Sequence, residues 1–204
     1  MKGLLLKDFY VLTKQLKLFL FVIVAISLVP GYSMSAFAIC YSAMLPITTL
    51  AYDEQCHWEK LVIMMPFSIK SIVLSKYVLG YIAVFFSAVL ALLGKLGFAL
   101  VTGKALSLSA AAELLPVVCV GILLLGLNLP FMFKLGVEKG RLVFLLTTCL
   151  VVVGGLFFYD RLKAALEPMN LNLGLIALLF ITTALVLNAV SILASLHIYK
   201  KRCV

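Results

Sequence analysis

The sequence predicts an all-α integral membrane protein with six transmembrane helices, an amphipathic helix at the N-terminus and a short cytoplasmic helix between spans 2 and 3. Three observations lead there. The chain of 204 residues is 65% hydrophobic and only 12% charged, against about 45–50% and about 25% in a soluble domain. A soluble fold of this length buries only about 70% of its chain surface, so much of this apolar surface needs lipid as its solvent. The charged residues stand between long apolar runs, and Lys and Arg crowd onto one side of the spans those runs define. The whole of residues 1–204 reads as one transmembrane domain.

Residues 1–17, MKGLLLKDFYVLTKQLK, place Leu5, Phe9, Leu12 and Leu16 on one helical stripe, with Lys7 and Lys14 opposite. That pattern suits a helix in the head-group plane whose Lys side chains reach anionic lipid. A signal peptide is the competing reading, with Ala36-Phe37-Ala38 as its cleavage site. The n-region would be unusually long, and the apolar run continues past the cut to Ala51.

No charged residue occurs from Leu18 to Ala51. The run exceeds one span of about 20 residues, and Pro30-Gly31-Tyr32 breaks it, giving span 1 at 17–30 and span 2 at 33–51. Span 3 follows a polar stretch, with Ser68 as its N-cap and a membrane part at 77–101; Lys95 snorkels to the far interface. An outer loop to Glu113 leads into span 4 at 114–133, where Asn128-Leu129-Pro130 predicts a kink. Lys134 to Arg141 is a tight basic loop. Span 5 at 142–159, a polar outer loop to Asn172, span 6 at 173–198 and Lys200-Lys201-Arg202 complete the chain.

Six spans put both termini on one side. That side carries the Lys and Arg at 2, 7, 14, 17, 60, 70, 76, 134, 139, 141, 200, 201 and 202, and the other only those at 95, 104, 161 and 163. The asymmetry makes the terminal side cytoplasmic in a cell-membrane protein. It also accounts for the net charge of +9 through anionic lipid head groups rather than nucleic acid, because the basic residues stand singly between apolar runs.

Catalytic constellations are missing. The nearest approach to a P-loop, Gly97 to Lys104, has five residues between its glycines and Ala105 after the Lys, so ATP is not bound that way. No H-E-x-x-H or G-x-S-x-G occurs. The five cysteines, at 40, 56, 119, 149 and 203, show no C-x-x-C pair and read as apolar fillers. An intramembrane enzyme would need paired catalytic groups inside spans, which offer isolated Ser, Thr and Asn instead. Asn128 and Asn188 are the most polar groups at membrane depth. Either they line a transport path or they bond helix to helix; no carboxylate of the kind used in proton relays accompanies them. Gly136-x-x-x-Gly140 falls in a loop and carries no dimerisation signal.

The polar stretch Tyr52–Lys76 holds Asp53, Glu54 and Glu59, the only Trp (Trp58) and one of two His (His57). Asp53 caps a helix that runs to Met65 and ends at Pro66, with Trp58, Leu61, Val62 and Met65 on one face. An aromatic anchor flanked by charges is typical of an interface hot spot; a helix lying in the lipid interface, where Trp is also favoured, fits equally well.

Four segments resemble the ABC-2 type permease family, in particular small bacterial permeases encoded beside a separate ATPase. They are M-K-G-L-L-x-K-D at the N-terminus, Y-D-E-x-x-x-W-E-K-L-x-x-x-x-P-x-S, S-K-Y at Ser75–Tyr77, and P-F-M-F-K-L-G-V-E-K-G-R at 130–141. Spans 5 and 6 add only hydropathy. The resemblance implies a permease half that pairs with a second permease copy or paralogue and with cytoplasmic ABC ATPase subunits, which would bind the ATP and Mg; no cofactor is expected in this chain. It makes the N-terminal helix an elbow helix and residues 52–68 a coupling helix. Asp53, Glu54, Trp58, Glu59 and Lys60 would dock onto the ATPase, with Pro66 and Ser68 setting the angle to span 3. Cys56-His57 departs from the pattern. The implied function is export of hydrophobic or amphipathic peptides, antibiotics or lipid-like molecules. The alternative is a membrane scaffold or sensor subunit that binds a regulatory partner without transport.

Overall fold

The structure, a computed structural model, describes residues 2–15, 17–29, 32–64, 68–102, 114–136, 139–151 and 173–202. Nine helices run through them: α1 (Lys2–Gln15), α2 (Lys17–Leu28), α3 (Tyr32–Ser42), α4 (Leu45–Gln55), α5 (Trp58–Ile63), α6 (Ile69–Thr102), α7 (Leu114–Leu135), α8 (139–151) and α9 (Leu173–Arg202). There is no strand among the described residues.

The bundle is turned inside out relative to a soluble protein. Phe85, Phe86 and Leu93 of α6, Leu145 and Leu146 of α8, and Leu185, Val186 and Leu193 of α9 all point outward, while Ser42, Ser87, Asn128, Asn188, Ser191 and Ser195 are buried. Lipid is as apolar as a Leu side chain, so nothing drives these apolar faces inward, whereas polar groups must find partners inside. Among the described residues, four stretches are long and apolar enough to cross a membrane: Ser35–Gln55, Ile69–Val101, Leu114–Leu135 and Ile181–Lys201. They coincide with expected spans 2, 3, 4 and 6. The helix expected as span 1 is the twelve residues of α2, packed on α6 and α3. Only 142–151 of span 5 is described, as part of a helix over 139–151, and the break at Pro30-Gly31 lies outside the described residues.

The second span is two helices. α3 ends at Ser42, Ala43 and Met44 form a turn, and α4 starts at Leu45 with Pro46 in its first turn, where a residue lacking an N–H is tolerated. The Ser42 hydroxyl bonds the Ile39 carbonyl (2.7 Å) and lies 3.0 Å from Ser87 Oγ of α6. A single straight span over 33–51, as the hydropathy suggested, is therefore corrected to a hinged one.

α6 has 34 residues, roughly 51 Å at about 1.5 Å per residue, against a hydrocarbon layer of about 30 Å. Its first turns carry the contacts described below. Ser68 starts it as expected: its Oγ accepts the Ser71 N–H at 3.3 Å.

α7 continues through Pro130. Proline leaves the carbonyl four residues back without its helical donor, and that carbonyl, on Gly126, receives the Ser191 hydroxyl of α9. Because that hydroxyl's one proton is spent on Gly126, Tyr77 OH must donate to Ser191 Oγ (2.7 Å) and accept from Ser195 Oγ (2.8 Å). Asn188 lies one turn away. Its Nδ2 donates to Ile122 O (3.0 Å) and Ala184 O (3.1 Å), and its Oδ1 accepts from Tyr81 OH (2.9 Å). Asn128 donates to Leu124 O (2.8 Å) and accepts from Thr147 Oγ1 of α8 (2.7 Å). Both asparagines thus bond helix to helix.

Candidate functional site

Residues of the polar stretch fold differently from the single capped helix the sequence suggested. α4 carries on from the membrane to Gln55, Cys56 and His57 form a turn, and α5 is a six-residue helix, Trp58–Ile63. The reversal is made at His57, whose φ of 50° is left-handed, a conformation non-glycine residues rarely take. Asp53 is therefore not an N-cap. It sits in the last turn of α4, and its side chain turns inward.

There it meets a ring of alternating charges. Lys76 Nζ of α6 lies 2.6 Å from Asp53 Oδ2 and 2.8 Å from Asp8 Oδ1 of α1. Lys7 Nζ of α1 lies 2.5 Å from Asp53 Oδ1 and 3.2 Å from Asp8 Oδ1. Lys76 and Asp8 are almost wholly buried, at 3% and 1% exposure, and Asp53 retains 9%. Two lysines balance two carboxylates, so the ring is neutral. Lys76 also reaches Thr49 Oγ1 at 3.5 Å. Asp8 Oδ2 has no hydrogen-bond partner among the described residues.

α1 is held by this ring and by packing. Its inward face is Leu4, Asp8 and Leu12, one turn apart, with Leu4 and Leu12 each in a buried apolar cluster. The stripe expected to meet lipid, Leu5, Phe9, Leu12 and Leu16, is corrected accordingly: Leu12 faces inward, Phe9 outward beside Leu6 and Tyr10, and Leu16 lies outside the described residues. Lys7, expected to reach lipid head groups, turns instead to Asp53 and sits 4.3 Å over the Trp58 ring, a cation–π contact.

Trp58 consequently faces the protein. It packs, with buried Val62, against Leu4, Ile72, Val73, Tyr77, Leu129, Phe133 and Tyr199. Among the described side chains, those turned outward here are Leu61 and, just past the end of α5, Met64, which is 85% exposed; Gln55, Cys56 and His57 are exposed before it. Glu54 reaches the corner after α7: a Cβ on Gly136, whose φ is +79°, would stand 3.1 Å from Glu54 Oε1. Asp53, Glu54, Trp58, Leu50, Ile72, Lys76, Met132, Phe133, Gly136 and Tyr199 line one small cavity of about 20 Å³, room for one water molecule. Glu59 and Lys60 belong to α5, but their side chains lie outside what is described, as do Met65 and Pro66 entirely. Ser68 is exposed at the start of α6. The geometry therefore brings Asp53, Glu54 and Trp58 together, but around Lys76 rather than on an outer face.

Sequence reasoning missed Asp8 and Lys76 as a pair, because 68 positions separate them. The available signal was a lone acid in the N-terminal helix and a second Lys, after Lys70, placed just where the apolar run of span 3 begins.

With its lipid-facing apolar exterior and bonded polar interior, the molecule is a multi-pass membrane protein. Residues 3–200 match the family model described as ABC-2 family transporter protein, so the chain belongs to that family and is a transporter permease subunit. Neither a curated protein nor a solved structure matches it.

Proposed function

We propose that the chain is the membrane-spanning half of an ATP-driven exporter, with six spans, both termini in the cytoplasm, an elbow helix at α1 and a coupling segment at residues 52–68. It pairs with a second permease copy or paralogue and takes its energy from a separate cytoplasmic ABC ATPase. The cargo class is hydrophobic or amphipathic: peptides, antibiotics or lipid-like molecules. The observation that carries this reading is the break at Cys56-His57, which folds a short helix with an exposed apolar edge between two spans of an ABC-2 family chain.

Leu61 and Met64, which face out, supply apolar contact to the docking surface, with charge assigned to Glu59 and Lys60 from the family resemblance, and Glu54 and Ser68 at its borders. Asp53 and Trp58 support the segment from beneath, since their side chains are engaged with Lys76 and Lys7, and Pro66 sets the turn into α6. ATP closing the nucleotide-binding dimer would move this segment, and the spans of the two halves would open or close a path between them.

The test is a detergent pull-down of the tagged chain from its native membrane, with mass spectrometry of its partners. A P-loop ATPase recovered at about equal stoichiometry is the expected result, lost in L61E/M64E while membrane insertion is retained. Recovery alone, or with a soluble signalling protein, overturns transport coupling in favour of the scaffold reading.

A further inference from the structure

The ring of Lys7, Asp8, Asp53 and Lys76 sits where three elements meet: the N-terminal helix, the end of the second span and the start of α6. Removing four charges from water has a large cost that their mutual attraction only partly returns, and apolar replacements of similar size are often no less stable. Stability alone is a weak reason for such a ring. Its geometry gives a better one.

Lys76 contacts both carboxylates and is itself enclosed, so it cannot leave one without leaving an uncompensated charge. Lys7 closes the ring from the other side and reaches onward to Trp58, one turn of chain beyond Asp53. Asp8 commits through a single oxygen, its Oδ1 shared by both ammonium groups. Each helix therefore holds the other two: α1 through two side chains, α4 through one carboxylate using both oxygens, α6 through one ammonium.

We propose that Lys76 is a positioning residue for coupling, clamping α1 and the end of α4 to the base of α6 so that displacement of the coupling segment carries the N-terminal helix with it. The hinge at Ala43-Met44 and the turn at Cys56-His57 lie on either side of the clamped turn of α4. Motion delivered to α5 would otherwise be absorbed there. The clamp rests on the coupling reading for its use, but its mechanical part belongs to this chain alone.

The decisive variant is K76M/D8L, which removes one charge of each sign and leaves the Lys7–Asp53 pair. In nanodiscs, hydrogen exchange of the chain alone should show α1 amides exchanging at least tenfold faster than in the parent, with α6, α7 and α9 unchanged; unchanged α1 protection overturns the clamp. In the complex with its ATPase, spin labels at exposed Tyr10 and Met64, on a background without native cysteines, read the coupling. Their separation should be the same with and without Mg-ATP and vanadate in the parent and should change in K76M/D8L. A separation that changes in the parent, or stays fixed in the variant, overturns the positioning role. K76R, keeping the charge, should restore the parent behaviour, which a merely space-filling Lys76 would not require. If K76M/D8L does not fold, K76Q/D8N, which removes the same two charges but keeps polar side chains of similar size, serves both measurements with the same outcomes. If no ATPase binds the parent protein, the proposed function fails while the exchange experiment still decides the clamp.

Discussion

At Gly126 three side chains meet because one is missing. Pro130 leaves the Gly126 carbonyl without its helical donor, Ser191 supplies one, and the absence of a Cβ lets Asn188 approach: a methyl there would stand 2.9 Å from Asn188 Oδ1. S191A should therefore destabilise the protein by about 1–2 kcal/mol, the scale of an interhelical hydrogen bond in a membrane and of a carbonyl left unsatisfied. In a P130A background the backbone N–H of residue 130 can take over, so S191A should cost less there; equal costs in a double-mutant cycle of thermal unfolding would show that the two features are unrelated. G126A should cost about 1–3 kcal/mol through overpacking against Asn188. The polarity of Asn128 and Asn188 was legible in the sequence because so little else at membrane depth is polar. Their partners were not, since Ile122, Tyr81 and Thr147 are brought to them by helix packing that hydropathy does not encode.

Among the elements, helices were the easiest to read and their ends the hardest. The start of α6 falls where Ser68 puts it. The hinge inside the second span went unseen, because Ala43 and Met44 are as apolar as their neighbours and only Pro46 marks the place. The polar stretch was misjudged for a different reason: alternation of charges with Trp58 reads as an exposed amphipathic helix unless the partners that neutralise Asp53 are known, and those lie on α1 and α6. D53N, which leaves Lys76 and Lys7 facing a single carboxylate, should cost about 3–5 kcal/mol, as for breaking a buried ion pair. Thermal unfolding in detergent measures it, and a loss below about 1 kcal/mol, the range of exposed pairs, would place the ring in water. W58F should leave ATPase recovery intact, since Trp58 faces the core and Lys7, whereas L61E/M64E should abolish it; the reverse pattern would return Trp58 to the outer surface.

For the molecule as a whole, the apolar exterior was plain in composition, because the bilayer constrains it directly. The proposed topology puts exposed Cys56 in the cytoplasm. In a variant with Cys56 as its sole cysteine, a membrane-impermeant maleimide should label inverted vesicles and spare intact cells; labelling of intact cells would invert the whole arrangement.

The separation of Asp8 from Lys76 also sets an order of events during synthesis. Residue 76 is made 68 positions after residue 8, so at about 5–20 residues per second the N-terminal helix waits roughly 3–14 s for its partner. Within that interval Lys7 gains its own partner earlier, because Asp53 is made 46 positions after it and 23 before Lys76. The ring of charges is therefore assembled in two steps of synthesis: Lys7 can meet Asp53 first, and Asp8 has its buried partner only once Lys76 of α6 has been made.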